Sequence, residues 1–173
     1  MKKLSYIDIP KEIFTQDLND SEIIFYIILL FHNNSRTKQC NPSQKFIKKN
    51  YNLSESTQVR VSQKLQDLKI ISKISSFETS NQYDLLLPKS DTIQLLVNTF
   101  HKFPTQITYQ NIIFYLKLQL LKPRKLKNTN QQLLLSLLDY SLPTIGLQLE
   151  QLQNAKLITL KKLHHYNVQI IIN

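Results

Sequence analysis

Glycine is almost missing from this chain, with Gly146 alone among 173 residues, and tryptophan is absent. A glycine-rich loop that cradles phosphate is thereby excluded, and so is a flexible Gly/Ser linker, so any domains should be joined by short, defined connections. Cysteine is reduced to Cys40, which rules out an intrachain disulfide and a multi-cysteine metal site and makes the cytoplasm the expected compartment. Long apolar runs are lacking too. The longest, Ile23 to Phe31, spans nine residues where a membrane helix needs roughly 20. Met1, Lys2 and Lys3 could open a signal peptide, but Asp8, Pro10, Lys11 and Glu12 interrupt the apolar stretch it requires. Acidic side chains are scarce: 12 against 22 Lys and Arg, a formal net charge of +10.

A surplus of that size fits a polyanionic partner, because each phosphate neutralised releases condensed counterions. Both halves of the chain contribute to it. Residues 1–90 hold 13 basic and 9 acidic side chains, and residues 91–173 hold 9 and 3.

The sequence also repeats itself. Ile23, Ile24, Phe25 and Tyr26 recur as Ile112, Ile113, Phe114 and Tyr115, an offset of 89, while Ser54, Thr57, Leu65 and Ile71 recur as Ser141, Thr144, Leu152 and Ile158, an offset of 87. A period near half the chain length predicts a tandem of two small domains, with the two-residue difference absorbed in a loop between the matched segments.

In the first unit, Asn19 and Glu22 form a capping box ahead of an apolar first helix reaching Phe31. Asn41, with Pro42 behind it and Gln44 at the third position, predicts the cap of a short second helix ending near Asn50. Asn52 suits a left-handed turn, and Ser54 caps a third helix to about Leu68, whose stripe Val61, Leu65, Leu68 faces the core. Ile70 to Ile74 and Tyr83 to Leu87 read as a strand pair. The second unit repeats the order: helices over 110–121, 129–139 and 142–154, then strands over 158–163 and 168–172. The stretch 89–104 is expected to be a connecting helix, giving domains at 1–88 and 105–173. The fold class is mainly α with small β-hairpins, an α+β tandem of winged helix-turn-helix domains.

The resemblance becomes specific around Cys40. The stretch Cys40, Asn41, Pro42, Ser43, Gln44 through Ile47, followed by Leu53, Ser54, Thr57, Val59, Leu65, Leu68, Ile70 and Ile71, resembles the winged-helix domain of plasmid and phage replication initiators of AT-rich Gram-positive bacteria. Ile9, Pro10, Lys11, Phe14 and Leu18 are similar to that family's entry segment. The likeness covers about residues 6–87 and departs at Asn52 and Lys69, where the family has glycine. It implies a third helix that enters a DNA major groove.

Candidate contacts in the first unit are Ser54, Ser56, Thr57, Gln58, Arg60 and Lys64 on the third helix. The hydroxyls lie where backbone N–H groups can hold a phosphate, Arg60 suits a guanine edge and Gln58 an adenine. Ser43, Lys45, Lys48 and Lys49 would grip the flanking backbone, with Lys73 on the wing. The second unit's third helix has no Lys or Arg and leaves Leu147 exposed, which suits a protein contact. Its cations lie elsewhere, at Lys122, Arg124, Lys125 and Lys127 before the second helix and at Lys161 and Lys162 in the hairpin; Thr144 repeats Thr57. The expectation is asymmetry: the first unit reads duplex DNA, and the second holds its backbone or a partner. No cofactor and no metal are expected, since His32, His101, His164 and His165 lack ligand spacing, and neither Tyr140 nor Tyr166 has a nearby base. An enzyme is not expected. A replication initiator, a repressor, and a protein-interaction module such as an inhibitor of a host nuclease all remain open, as does a homodimer.

Overall fold

The computed structural model describes residues 6–33, 40–74, 81–88, 91–101, 107–121, 126, 129–138, 140–163 and 167–173. The chain divides into two units, Met1–Pro104 and Thr105–Asn173.

The first unit opens with strand β1 (Tyr6–Pro10) and a 3-10 turn (Lys11–Phe14). Helix α1 (Asp20–Phe31) starts at the expected capping box: Asn19 Oδ1 accepts from Glu22 N, and Glu22 Oε2 accepts from Asn19 N at 2.8 Å. Every residue from Glu22 to Leu30 is buried, so α1 forms the axis of the core. Each large apolar side chain withdrawn in this way favours the folded state by about 1.5–3 kcal/mol. Helices α2 (Gln44–Tyr51) and α3 (Glu55–Asp67) follow, and α3 packs against both α1 and α2. Strands β2 (Ile71–Ile74) and β3 (Gln82–Leu85) then pair antiparallel, Ile71 opposite Leu85 and Lys73 opposite Tyr83. Tyr83 anchors this hairpin to α1, its ring edge-on to Phe25 with centroids 6.0 Å apart, and exchanges backbone bonds with Cys40.

Three expectations need correction here. Ser43, not Asn41, caps α2; its Oγ accepts from Phe46 N at 3.2 Å, and Pro42 lies before the helix instead of inside it. Leu68 closes α3 as its C-cap and is exposed, because the helix ends one residue earlier. The largest correction concerns 89–104. Thr92–Leu96 is strand β4, paired antiparallel with β1 so that Ile93 faces Ile9 and Leu95 faces Ile7, and among the described residues of this stretch the helical ones are Val97–His101 (α4). Ile93, Leu96, Val97 and Phe100 have helical spacing, but Ile93 and Leu95 also alternate with Thr92 and Gln94. An extended partner at β1 selects the second pattern, and 91–101 thereby joins the first unit.

The second unit contains α5 (Tyr109–Leu120), α6 (Gln131–Leu138), α7 (Leu142–Asn154) and the hairpin β5 (Ile158–Lys162) and β6 (Val168–Ile172). These three helices have 12, 8 and 13 residues, the same lengths as α1, α2 and α3. The connection over 121–130 is two residues shorter than that over 32–43, which is where the two offsets part. A Thr129 to Val168 bridge repeats the Cys40 to Tyr83 bridge. Both third helices end alike. Ile70 N donates to Leu65 O and Lys69 N to Gln66 O; Leu157 N donates to Leu152 O and Lys156 N to Gln153 O. This pair of hydrogen bonds needs a left-handed residue, and Lys69 (φ 55°) and Lys156 (φ 58°) supply it without being glycine.

Candidate nucleic-acid interface

Helix α3 is aimed by the turn that precedes it. Asn52 takes the left-handed conformation (φ 54°, ψ 31°) with its N–H on Lys48 O, Leu53 is buried, and Ser54 caps α3 by accepting from Thr57 N at 3.2 Å. Gln58 locks the arrangement. Its Nε2 donates to Gln44 O at 3.0 Å and to Leu53 O at 2.8 Å, tying α3 to the start of α2 and to the turn. Gln58 is buried, so it leaves the set of adenine readers and becomes a brace for the turn. Its phase carried that signal, since Gln58, Val61 and Leu65 recur at three and four residues on the core side.

At the amino end of α3 three hydroxyls interlock: Ser54 Oγ lies 3.0 Å from Ser56 Oγ and 2.8 Å from Thr57 Oγ1. Ser54 and Ser56 are exposed, Thr57 half-buried. The partial positive charge of a helix start makes this end favourable for a phosphate.

One turn further on, Arg60 and Lys64 share a carboxylate. Lys64 Nζ lies 3.1 Å from Glu22 Oε2, and Arg60 Nη1 lies 3.5 Å from Glu22 Oε1. Glu22 is 1% exposed, whereas Arg60 is 60% and Lys64 37% exposed. The same carboxylate accepts from Asn19 N and, at 2.8 Å, from Asn19 Nδ2. A single buried anion therefore closes the capping box of α1 and holds both cations of the third helix. Nothing in the spacing of Glu22 and Arg60, 38 residues apart, announces this.

Val59 was not among the predicted contacts, yet it is 52% exposed beside Arg60 and Ser56. A β-branched side chain on a helix has one preferred rotamer, so its methyl groups are held in place. Lys45, Lys48 and Lys49 are exposed along α2, with Lys48 Nζ 3.7 Å from Glu55 Oε1. Ser43 uses its hydroxyl as the α2 cap, and Lys73 is half-buried in β2.

The second unit places amides where the first places charges. Asn111, at the third position of α5, closes a capping box with Thr108 and donates from Nδ2 to Gln148 Oε1 at 2.6 Å and Gln151 Oε1 at 2.7 Å. Gln151 occupies the position of Lys64, and Leu147, 52% exposed, that of Arg60. Thr144 Oγ1 lies 2.7 Å from Ser141 Oγ, repeating the Ser54 and Thr57 contact, and Lys161 and Lys162 are exposed on β5. Lys122, Arg124, Lys125 and Lys127 lie outside the described residues, as do His164 and His165.

Beside α2 the first unit has an aromatic cluster. His32 Nε2 lies 2.6 Å from Tyr51 Oη, Phe46 meets the His32 ring edge-on at 5.1 Å, and Phe100 lies 5.5 Å from Tyr51. Burial lowers the His32 pKa below the ordinary histidine value and pushes the Tyr51 hydroxyl up to about 12. A neutral imidazole accepting from the tyrosine hydroxyl satisfies both groups. Tyr140 Oη accepts a hydrogen bond from Lys117 Nζ at 3.1 Å.

Among the described residues, no group of three or more His, Cys, Asp or Glu side chains is placed to hold a metal ion, and no helix is long and apolar enough to cross a membrane. Comparison with curated proteins and with solved structures gives no match. Residues 16–71, from the approach to α1 through the first residue of β2, match the family model described as a helix-turn-helix domain.

Proposed function

We propose that this chain is a sequence-specific duplex DNA-binding protein made of two winged helix-turn-helix units, acting in the cytoplasm as a replication initiator or replication-associated protein of a plasmid or phage. The observation that carries the reading is the exposed face of α3 in the matched segment: a hydroxyl-lined amino end followed by Val59, Arg60 and Lys64. In a major groove, Ser54, Ser56 and Thr57 hold a phosphate, Arg60 meets a guanine edge, and Val59 lies against a thymine methyl. Lys45, Lys48 and Lys49 fix the register on the flanking backbone, with the second unit's Lys161 and Lys162 as further phosphate contacts. The reading involves no reaction and no cofactor.

The test is duplex binding measured against salt for wild type and for Arg60→Ala with Lys64→Ala, after selection of bound fragments from random duplexes. Loss of several-fold affinity together with a salt slope shallower by about one to two supports the reading. Unaltered binding in the double variant, or the absence of any enriched fragment, ends it. A repressor of a mobile element would use the same contacts, and plasmid replication in cells separates the two roles. A second reading rests on Leu147 and Leu142, exposed on a helix whose only charged side chain is Glu150. That face suits a protein partner, either a second copy or a host nuclease held in an inhibited state.

A further inference from the structure

We infer that Glu22 is a positioning residue for DNA discrimination: its buried carboxylate holds the Arg60 and Lys64 side chains in a fixed direction and keeps them from acting as freely mobile phosphate-seeking cations. The inference rests on the DNA-binding reading above and adds to it a residue that touches no DNA. Its warrant is a comparison between equivalent places. Linking the first helix of a unit to its third is a structural need, and the second unit meets it with neutral groups, Asn111 on Gln148 and Gln151. The first unit uses a 1% exposed carboxylate and two cations for the same link, which exceeds that need.

The geometry explains what the charge adds. Glu22 itself is fixed in direction by two hydrogen bonds, its oxygens accepting from Asn19 N and Asn19 Nδ2, both at 2.8 Å. Arg60 is tethered at 3.5 Å but 60% exposed, so most of its guanidinium donors stay open to a base edge. A cation that arrives already oriented loses less freedom when it binds. A cation near an anion also gains less from any phosphate it happens to meet. Both effects favour the correct site over unrelated duplex.

The experiment uses the full chain and Glu22→Gln, since glutamine at the third helical position still closes a capping box. Affinities for a selected duplex site and for an unrelated duplex are measured over a salt series. The expected result has two parts: unrelated duplex binds several-fold tighter with a salt slope steeper by about one, and the ratio of specific to non-specific affinity falls by about tenfold. An unchanged ratio, with both affinities moving together, overturns the inference and leaves Glu22 as structural alone. Failure of the wild type to bind any duplex would instead overturn the parent reading. Should the variant unfold, side-chain nitrogen relaxation in the wild type decides: restricted Arg60 and Lys64 motion relative to exposed Lys45 supports the tether, and equal motion overturns it.

Discussion

The two units share a scaffold and differ in the electrostatics laid over it. Helices of equal length, the same Ser and Thr cap on the third helix, and the same left-handed lysine beyond it recur in both. Where α1 meets α3, however, Glu22 holds Arg60 and Lys64, while the corresponding junction of α5 and α7 is closed by Asn111, Gln148 and Gln151. Keeping the backbone of a unit in place thus needs hydrogen bonds at this junction but not charge. Charge is an added property, present on the unit that matches a helix-turn-helix domain.

The largest effect should come from removing the junction itself. Glu22→Ala takes away a capping box and a buried acceptor of charged hydrogen bonds, and should destabilise the first unit by about 3 kcal/mol. Asn111→Ala should cost the second unit about 2 kcal/mol, mostly for leaving the buried Gln148 oxygen without its donor. Urea unfolding of the full chain, with hydrogen exchange resolved by unit, checks both. Equal losses confined to helix capping would show that the junctions are not the ties described.

A transplant sharpens the contrast. Asn111→Glu with Leu147→Arg and Gln151→Lys carries the charged junction into the second unit. Unrelated-duplex affinity should rise several-fold and the salt slope steepen by about one, because the two cations added to α7 and the one anion added to α5 leave the junction with one net positive charge. A flat response would mean that α7 does not face DNA at all.

The units should also differ in acid. Because burial lowers the His32 pKa in the folded state, the unfolded chain binds the proton more tightly. The stability His32 contributes is therefore full above its ordinary value of 6.5 and is lost as pH falls through the lower folded value. The second unit has no counterpart, since Leu121 stands at that place in the repeat. Thermal unfolding at pH 7.5 and pH 5 should show a downward shift for the first unit that His32→Gln reduces; an unchanged shift in that variant would assign the acid sensitivity to other groups.

The smallest expected effect is common to both units. A non-glycine residue in the left-handed region costs about 1–2 kcal/mol, partly offset by the greater chain entropy of glycine. Lys69→Gly and Lys156→Gly should each stabilise their unit by about 0.5–1 kcal/mol, read as a rise in urea midpoint. A gain in one unit alone would break the equivalence of the two helix ends.

Much of the scaffold is legible in the sequence alone. The stripe of Val61 and Leu65, the caps at Asn19, Ser54 and Ser141, and the left-handed Asn52 all follow from rules acting within one helical turn. Thr92–Leu96 is ambiguous in sequence because its apolar residues satisfy a helical and an extended period at once. At the interface, Gln58 carried its correction in its phase with the core stripe, whereas the tether of Arg60 and Lys64 left no local trace.

What the amino-acid sequence determined by itself is therefore the repeat, the helices with their caps and turns, and the positive surplus, since each depends on residues a few positions apart or on composition. Only the tertiary structure decided that β1 recruits Thr92–Leu96 as a strand, that Gln58 turns inward as a brace, and that Glu22 gathers the cations of α3. Those outcomes depend on partners tens of residues away. A hydrogen-bond acceptor or a counter-charge acts through the distance that packing sets, and sequence separation does not encode that distance.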